Sequence, residues 1–156
     1  MASEIEDPAI SHALTAVLRA VRKHRGLTSK QVAERMTMKL RTYQHFEAGG
    51  GRFSFPKLRL FAEATGSDFN GLACAILVGD TNLATCGADN RLVTITLFSL
   101  KALSGKLGRN LSSIEPRDAI GALDQAFGQM ENQMRGRLDV GGGSLSGRSQ
   151  PAGQDE

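Results

Sequence analysis

GLTSKQVAERMTMKLRTYQHFEAG, residues 26–49, is the stretch that decides how the first half of this chain folds. Thr28 and Gln31 stand three apart, the spacing of a capping box, in which the two side chains satisfy backbone N–H groups at a helix start. The helix they open ends near Met36 and buries Val32, Ala33 and Met36. Thr37-Met38 leaves room only for a tight turn. A further helix follows over about 39–48, with Tyr43 and Phe46 turned inward. Ala33 is small where these two helices would cross, and the second helix is basic and polar over its remaining face.

Upstream, Asp7-Pro8 reads as an N-cap followed by proline at the first helical position. Ile10, Leu14, Val17, Leu18 and Val21 then recur at helical spacing until Gly26, which predicts a helix over about 8–25. Downstream, Gly49-Gly50-Gly51 is a break. Ser54 caps a fourth helix to about Thr65 that buries Leu58, Phe61 and Ala62, and Gly66 ends it. Asp68 opens a fifth, with Phe69, Leu72, Ile76 and Leu77 apolar. Residues 1–79 thus form a self-contained bundle of five short helices.

Residues 80–89 read as a polar connection into a second helical region, 80–138. Over 90–107, Val93, Leu97, Leu100, Leu103 and Leu107 share a helical face that Ile95 and Phe98 widen, although Val93-Thr94-Ile95-Thr96 is a β-prone start. Pro116 opens the last helix, to about residue 135. There Ile120, Leu123, Phe127, Met130 and Met134 keep the 3-4-3-4 spacing of a helix–helix seam. Gly121 and Gly128, one heptad apart, permit close backbone approach. Residues 139–156, rich in Gly, Ser and Pro, are expected to be disordered. The fold class is all-α.

Composition excludes several alternatives. No apolar run approaches the roughly 20 residues a spanning helix needs, and the acidic start MASEIEDP has no apolar segment of a secretory signal. Two cysteines, Cys74 and Cys86, do not build a disulfide framework, so a reducing cytoplasm is the expected compartment. The formal net charge of +3 conceals an asymmetry. Between Ile10 and Leu60 eleven basic residues (Arg19, Arg22, Lys23, Arg25, Lys30, Arg35, Lys39, Arg41, Arg52, Lys57 and Arg59) face only Glu34 and Glu47. Charge gathered in one segment is the footprint expected of a protein with a polyanionic partner.

The first 78 residues resemble the lambda-repressor-like helix-turn-helix family, of the xenobiotic-response-element type, which also includes phage Cro and repressor proteins. Gly26-Leu27-Thr28, Val32-Ala33-Glu34 and Phe46-Glu47-Ala48-Gly49 carry the resemblance. It continues through Leu60-Phe61-Ala62-Glu63-Ala64-Thr65-Gly66 and on to Phe69 and Leu72. Three positions depart from it. The family usually places Gln where Ser29 stands, Gly where Thr37 stands, and Ile or Val where Tyr43 stands. Ser29 shortens the reach toward a phosphate, Thr37 is costly if its φ must be left-handed, and Tyr43 enlarges the core.

The resemblance implies double-stranded DNA as the partner. It places groove-reading contacts on Lys39, Leu40, Arg41, Thr42, Gln44 and His45, and phosphate contacts on Thr28, Ser29, Lys30 and Arg52. The chemistry suits these roles: arginine pairs bidentately with guanine, glutamine with adenine, and leucine packs on a thymine methyl. A helix start with free N–H groups favours phosphate. Arg22 and Glu47 fall where some family members pair two helices, a structural role.

The expected function is therefore that of a sequence-specific transcriptional regulator, a repressor bound as a homodimer to a two-fold operator with half-sites about 34 Å apart. Val93, Leu97, Leu100 and Leu103, with Ile120, Leu123, Phe127 and Met130, are the expected dimer interface. Two other functions fit the same residues. One is an antitoxin-like or interaction module whose C-terminal helices bind a partner protein. The other is a sensor with an effector pocket between those helices. No cofactor, metal or catalytic activity is expected. His12, His24 and His45 lie on separate segments without ligand spacing, and there is neither a G-x-S-x-G nor a phosphate-loop pattern. Cys74 reads as core, and Cys86 is at most a sensor thiol. Some members of the family carry a self-cleaving β-structured peptidase domain, to which the helical second half here does not correspond.

Overall fold

The structure, a computed structural model, describes residues 8–50 and 53–142. Among the described residues the regular elements are all helical: α1 (Pro8–His24), α2 (Ser29–Arg35), α3 (Leu40–Glu47), α4 (Phe55–Thr65), α5 (Phe69–Val78), α6 (Thr81–Gly87), α7 (Leu92–Leu107) and α8 (Pro116–Gly142), with a short 3-10 turn at Gly108–Ser113. The chain divides into two compact units, Met1–Gly105 and Lys106–Glu156.

In the first unit α1 turns Leu14, Val17, Leu18 and Val21 inward, packing against α3, α5 and α6. Val32 and Ala33 of α2, Tyr43 and Phe46 of α3, Leu58 and Phe61 of α4, and Leu72 and Ile76 of α5 complete one continuous core. Each large side chain withdrawn from water contributes roughly 1.5–3 kcal/mol. The caps read from the sequence are formed. Thr28 accepts from the Gln31 N–H while the Gln31 side chain accepts from the Thr28 N–H. Ser54 and Asp68 accept from the N–H groups of Lys57 and Gly71. Gly66 closes α4 in the left-handed region, at φ 63°, where a Cβ would be strained.

Residues 80–89, expected as a polar connection, instead contain α6. Asp80 caps it, accepting from the N–H groups of Asn82 and Leu83. Ala84 and Ala88 are buried, and Leu83 packs on the core beside α1 and α5. Thr81-Asn82-Leu83-Ala84 has little apolar bulk, so the sequence carries little periodic signal for it. Among the described residues the bundle thus has six helices.

The β-prone start of α7 is helical. Asn90 accepts from the Leu92 N–H, and Thr94 donates to Asp68 while accepting from the Asn70 side chain. These polar contacts override the local preference and set α7 on the start of α5. In the second unit α8 begins at Pro116 as expected and runs to Gly142, past Asp139, where the tail was expected to start. Once a long helix is nucleated each further residue adds a hydrogen bond at small cost, which carries it through Asp139 and Val140 to the glycines. Residues 143–156 of that tail lie outside the described residues.

Candidate nucleic-acid interface

Helix α3 is eight residues long, Leu40–Glu47, and its sequence sorts cleanly by side. Tyr43, Phe46 and Glu47 are buried, whereas Leu40, Arg41, Thr42, Gln44 and His45, with Lys39 at the N-cap, are exposed. All six residues expected to read bases therefore stand outward together. Leu40 is 40% exposed, an apolar side chain that the core does not use. The His45 ring lies over Gly50, where any Cβ would collide with it, so the chain after α3 fixes one side of this face.

The buried side of α3 is held by a polar cluster. Arg22 of α1 donates from Nε to Glu47 Oε1 at 2.6 Å and from its second nitrogen to Glu47 Oε2 at 3.2 Å. Arg22 also donates to the Leu27 carbonyl. Tyr43 donates its hydroxyl to the same Glu47 Oε1 at 2.7 Å. Paired charges with saturated hydrogen bonding tolerate burial, whereas single ones do not. Burial, reinforced by the hydrogen bond to Glu47, pushes the Tyr43 hydroxyl well above the ordinary phenol range. The hydrogen bond from Arg22 to Glu47 likewise holds the guanidinium proton more tightly, outweighing its partial burial. The sequence identified Arg22–Glu47 as a structural pair. It took Tyr43 only as added bulk and missed the hydroxyl as the third member.

Between α2 and α3 the backbone closes a tight turn through Thr37 N–H to the Glu34 carbonyl and Met38 N–H to the Ala33 carbonyl. Thr37 adopts φ 54°, the costly left-handed conformation. At the start of α2, Thr28 is already committed: its N–H and hydroxyl both meet the Gln31 side chain. Ser29 is half-buried and Lys30 is exposed, the latter 4.0 Å from Glu34. Arg52 lies outside the described residues.

Not all of the positive charge faces outward for a partner. Arg35 donates to the Ala64 carbonyl, tying α2 to the end of α4. Arg25 donates to the carbonyls of Gly66 and Ala88 and pairs with Asp89, which its hydrogen bond holds below the usual carboxylate range. With Arg22, these are three of the eleven basic residues used inside the fold. Arg25 went unrecognised because its partners lie 41 and 63 positions away, a separation no local pattern reveals.

Of the residues expected at a dimer interface, Val93 is half-buried, and Leu97, Leu100, Leu103, Ile120, Leu123, Phe127 and Met130 are exposed. Among the described residues no group of three histidine, cysteine or acidic side chains is placed to hold a metal ion, and no helix is long and apolar enough to cross a membrane.

Residues 18–72 match the family model described as Helix-turn-helix. The match starts within α1 and ends within α5, so it takes in α2, α3 and α4 whole. No curated protein and no solved structure matches the chain.

Proposed function

We propose that this chain, a DNA-binding transcriptional regulator whose residues 18–72 form a helix-turn-helix domain of the lambda-repressor-like, xenobiotic-response-element type, is a cytoplasmic repressor that binds a two-fold operator as a homodimer. The observation that carries the DNA reading is α3. It turns Lys39, Leu40, Arg41, Thr42, Gln44 and His45 outward while Tyr43, Phe46 and Glu47 anchor it. Laid in the major groove, Arg41 takes a guanine edge, Gln44 an adenine and Leu40 a thymine methyl. Ser29, Lys30 and Arg52 meet phosphates beside the groove. Thr28, occupied by its capping box, contributes less than the family pattern implies.

The dimer follows from the scale of recognition. One short helix contacts few base pairs, and pairing two copies multiplies the discrimination. Ile120, Leu123, Phe127 and Met130 lie along one stripe of α8, and Leu97, Leu100 and Leu103 are exposed on α7. Apolar surface of this extent favours association over solvent. Sedimentation of the full chain tests it: a dimer that Phe127→Asp converts to a monomer supports the reading, and a monomer at micromolar concentration overturns it. Footprinting then gives the operator, with protected half-sites expected about 34 Å apart. A chain that is monomeric alone but binds DNA would instead favour the partner-protein reading of the same exposed stripes.

A further inference from the structure

We propose that the cleft between α4, the start of α5 and the start of α7 is a binding site for a small oxyanion, the carboxylate or phosphate of a metabolite. The cleft has a volume of about 620 Å³ and lies within the first unit, a size typical of small-ligand sites. Its polar groups can be sorted by whether they already have partners. Arg25 is spent on Asp89, Gly66 and Ala88. Asp68 accepts from the Gly71 N–H and the Thr94 hydroxyl. The charges left over are Arg59 on α4, Arg91 ahead of α7, and Glu63 on α4, none of which has an ion-pair partner among the described residues.

One further feature makes this a site for an acceptor. The Arg59 guanidinium lies over the Phe69 ring, 4.5 Å from its centroid, which orients the group without consuming its N–H donors. The cleft therefore holds two guanidinium groups with unused N–H donors, Arg59 and Arg91, against one carboxylate without a partner, Glu63. An oxyanion supplies the missing acceptors, and guanidinium forks are the side chains best shaped for it. Glu63 favours a ligand that carries a hydroxyl or ammonium beside its anionic group. Bound there, the oxyanion bridges α4 to Arg91 and fixes the direction in which α7 leaves the bundle. Only this regulatory consequence rests on the dimer reading; the binding does not.

Calorimetric titration of the full chain, free of DNA, with inorganic phosphate and separately with malate, against chloride at matched ionic strength, tests the site. The expected result is saturable binding of at least one probe, weakened about tenfold or more in Arg59→Gln and in Arg91→Gln. Both side chains are exposed, so circular dichroism of the variants should match the parent. Binding of phosphate alone points to a phosphoryl ligand, and binding of malate alone to a carboxylate. Absence of saturable binding by either probe, or undiminished binding in both variants, overturns the proposal. Because no DNA is present, that failure leaves the operator reading standing, and a failure to bind DNA leaves the cleft standing.

Discussion

Arg22 on α1 and Glu47 on α3 meet through two hydrogen bonds, and their pairing fixes how α3 sits on the bundle. Glu47 is the more buried of the two, at 8% side-chain exposure against 16% for Arg22. Neither charge is tolerable there alone. Glu47→Ala strands the Arg22 guanidinium and the Tyr43 hydroxyl together. Removing one partner of such a pair costs about 2–4 kcal/mol, somewhat below the fully buried case because Arg22 retains contact with water. Urea unfolding should show that loss as a lower midpoint with an unchanged slope. A loss under about 0.5 kcal/mol, the scale of an exposed pair, would show that the cluster does not hold α3.

The same cluster sets a dependence on alkaline pH. Its burial and its bond to Glu47 hold the Tyr43 proton more tightly in the folded chain than in the unfolded one. A group whose pKa is raised by folding stabilises fully below its unfolded value, about 10 for tyrosine, and this contribution fades as pH rises above that. Tyr43→Phe should therefore cost about 1 kcal/mol at neutral pH, for the lost hydrogen bond. It should also flatten the decline in stability above about pH 10. Stability curves of parent and variant that fall in parallel across that range would contradict the assignment.

Thr37 is the strained point of the turn, with φ 54° in a β-branched residue. The left-handed conformation costs such a residue about 1–2 kcal/mol, and glycine returns part of that gain through its freer unfolded chain. Thr37→Gly should thus raise stability by about 0.5–1 kcal/mol. Thr37 is not one of the proposed groove-reading positions, so DNA affinity should stay the same. Thermal unfolding with a parallel gel-shift titration checks both halves of the expectation.

How much of this was legible in the sequence depends on the range of the signal. The capping box of Thr28 and Gln31, the Ser54 and Asp68 caps and the Gly66 stop are local, and they placed α2, α4 and α5 to within a residue or two. Helical spacing alone turned Tyr43 and Phe46 of α3 inward, whereas the six outward positions were marked as readers by the family resemblance. Helix α6 escaped because alanine and threonine carry little periodic signal, so that only the Asp80 cap marked it. The three-way bond at Glu47 and the carbonyls gathered by Arg25 depend on segments far apart in the chain. Their chemistry becomes readable only once the fold has brought them together.

The proposed DNA interface combines two kinds of contact, base reading from α3 and phosphate contact from α2, that mutation separates. Arg41 is exposed beside Leu40 and Gln44, and a bidentate pair to guanine discriminates against other bases by about 1–3 kcal/mol. Arg41→Ala should lose that amount on the best operator and less on variants altered at the contacted base pair, so preference relaxes at one position. Lys30, at the start of α2, is proposed to meet a phosphate and so to carry no base information. Lys30→Ala should weaken binding nearly equally across sequences and reduce the salt dependence of the logarithm of affinity by about 1. Glu34, 4.0 Å from Lys30, competes for its ammonium in the free protein, which makes the Lys30 effect the smaller of the two. Titrations of both variants over several salt concentrations, against an operator and single-base variants of it, distinguish the roles. Should Arg41→Ala bind every sequence as the parent does, α3 is not the base reader and the groove assignment fails.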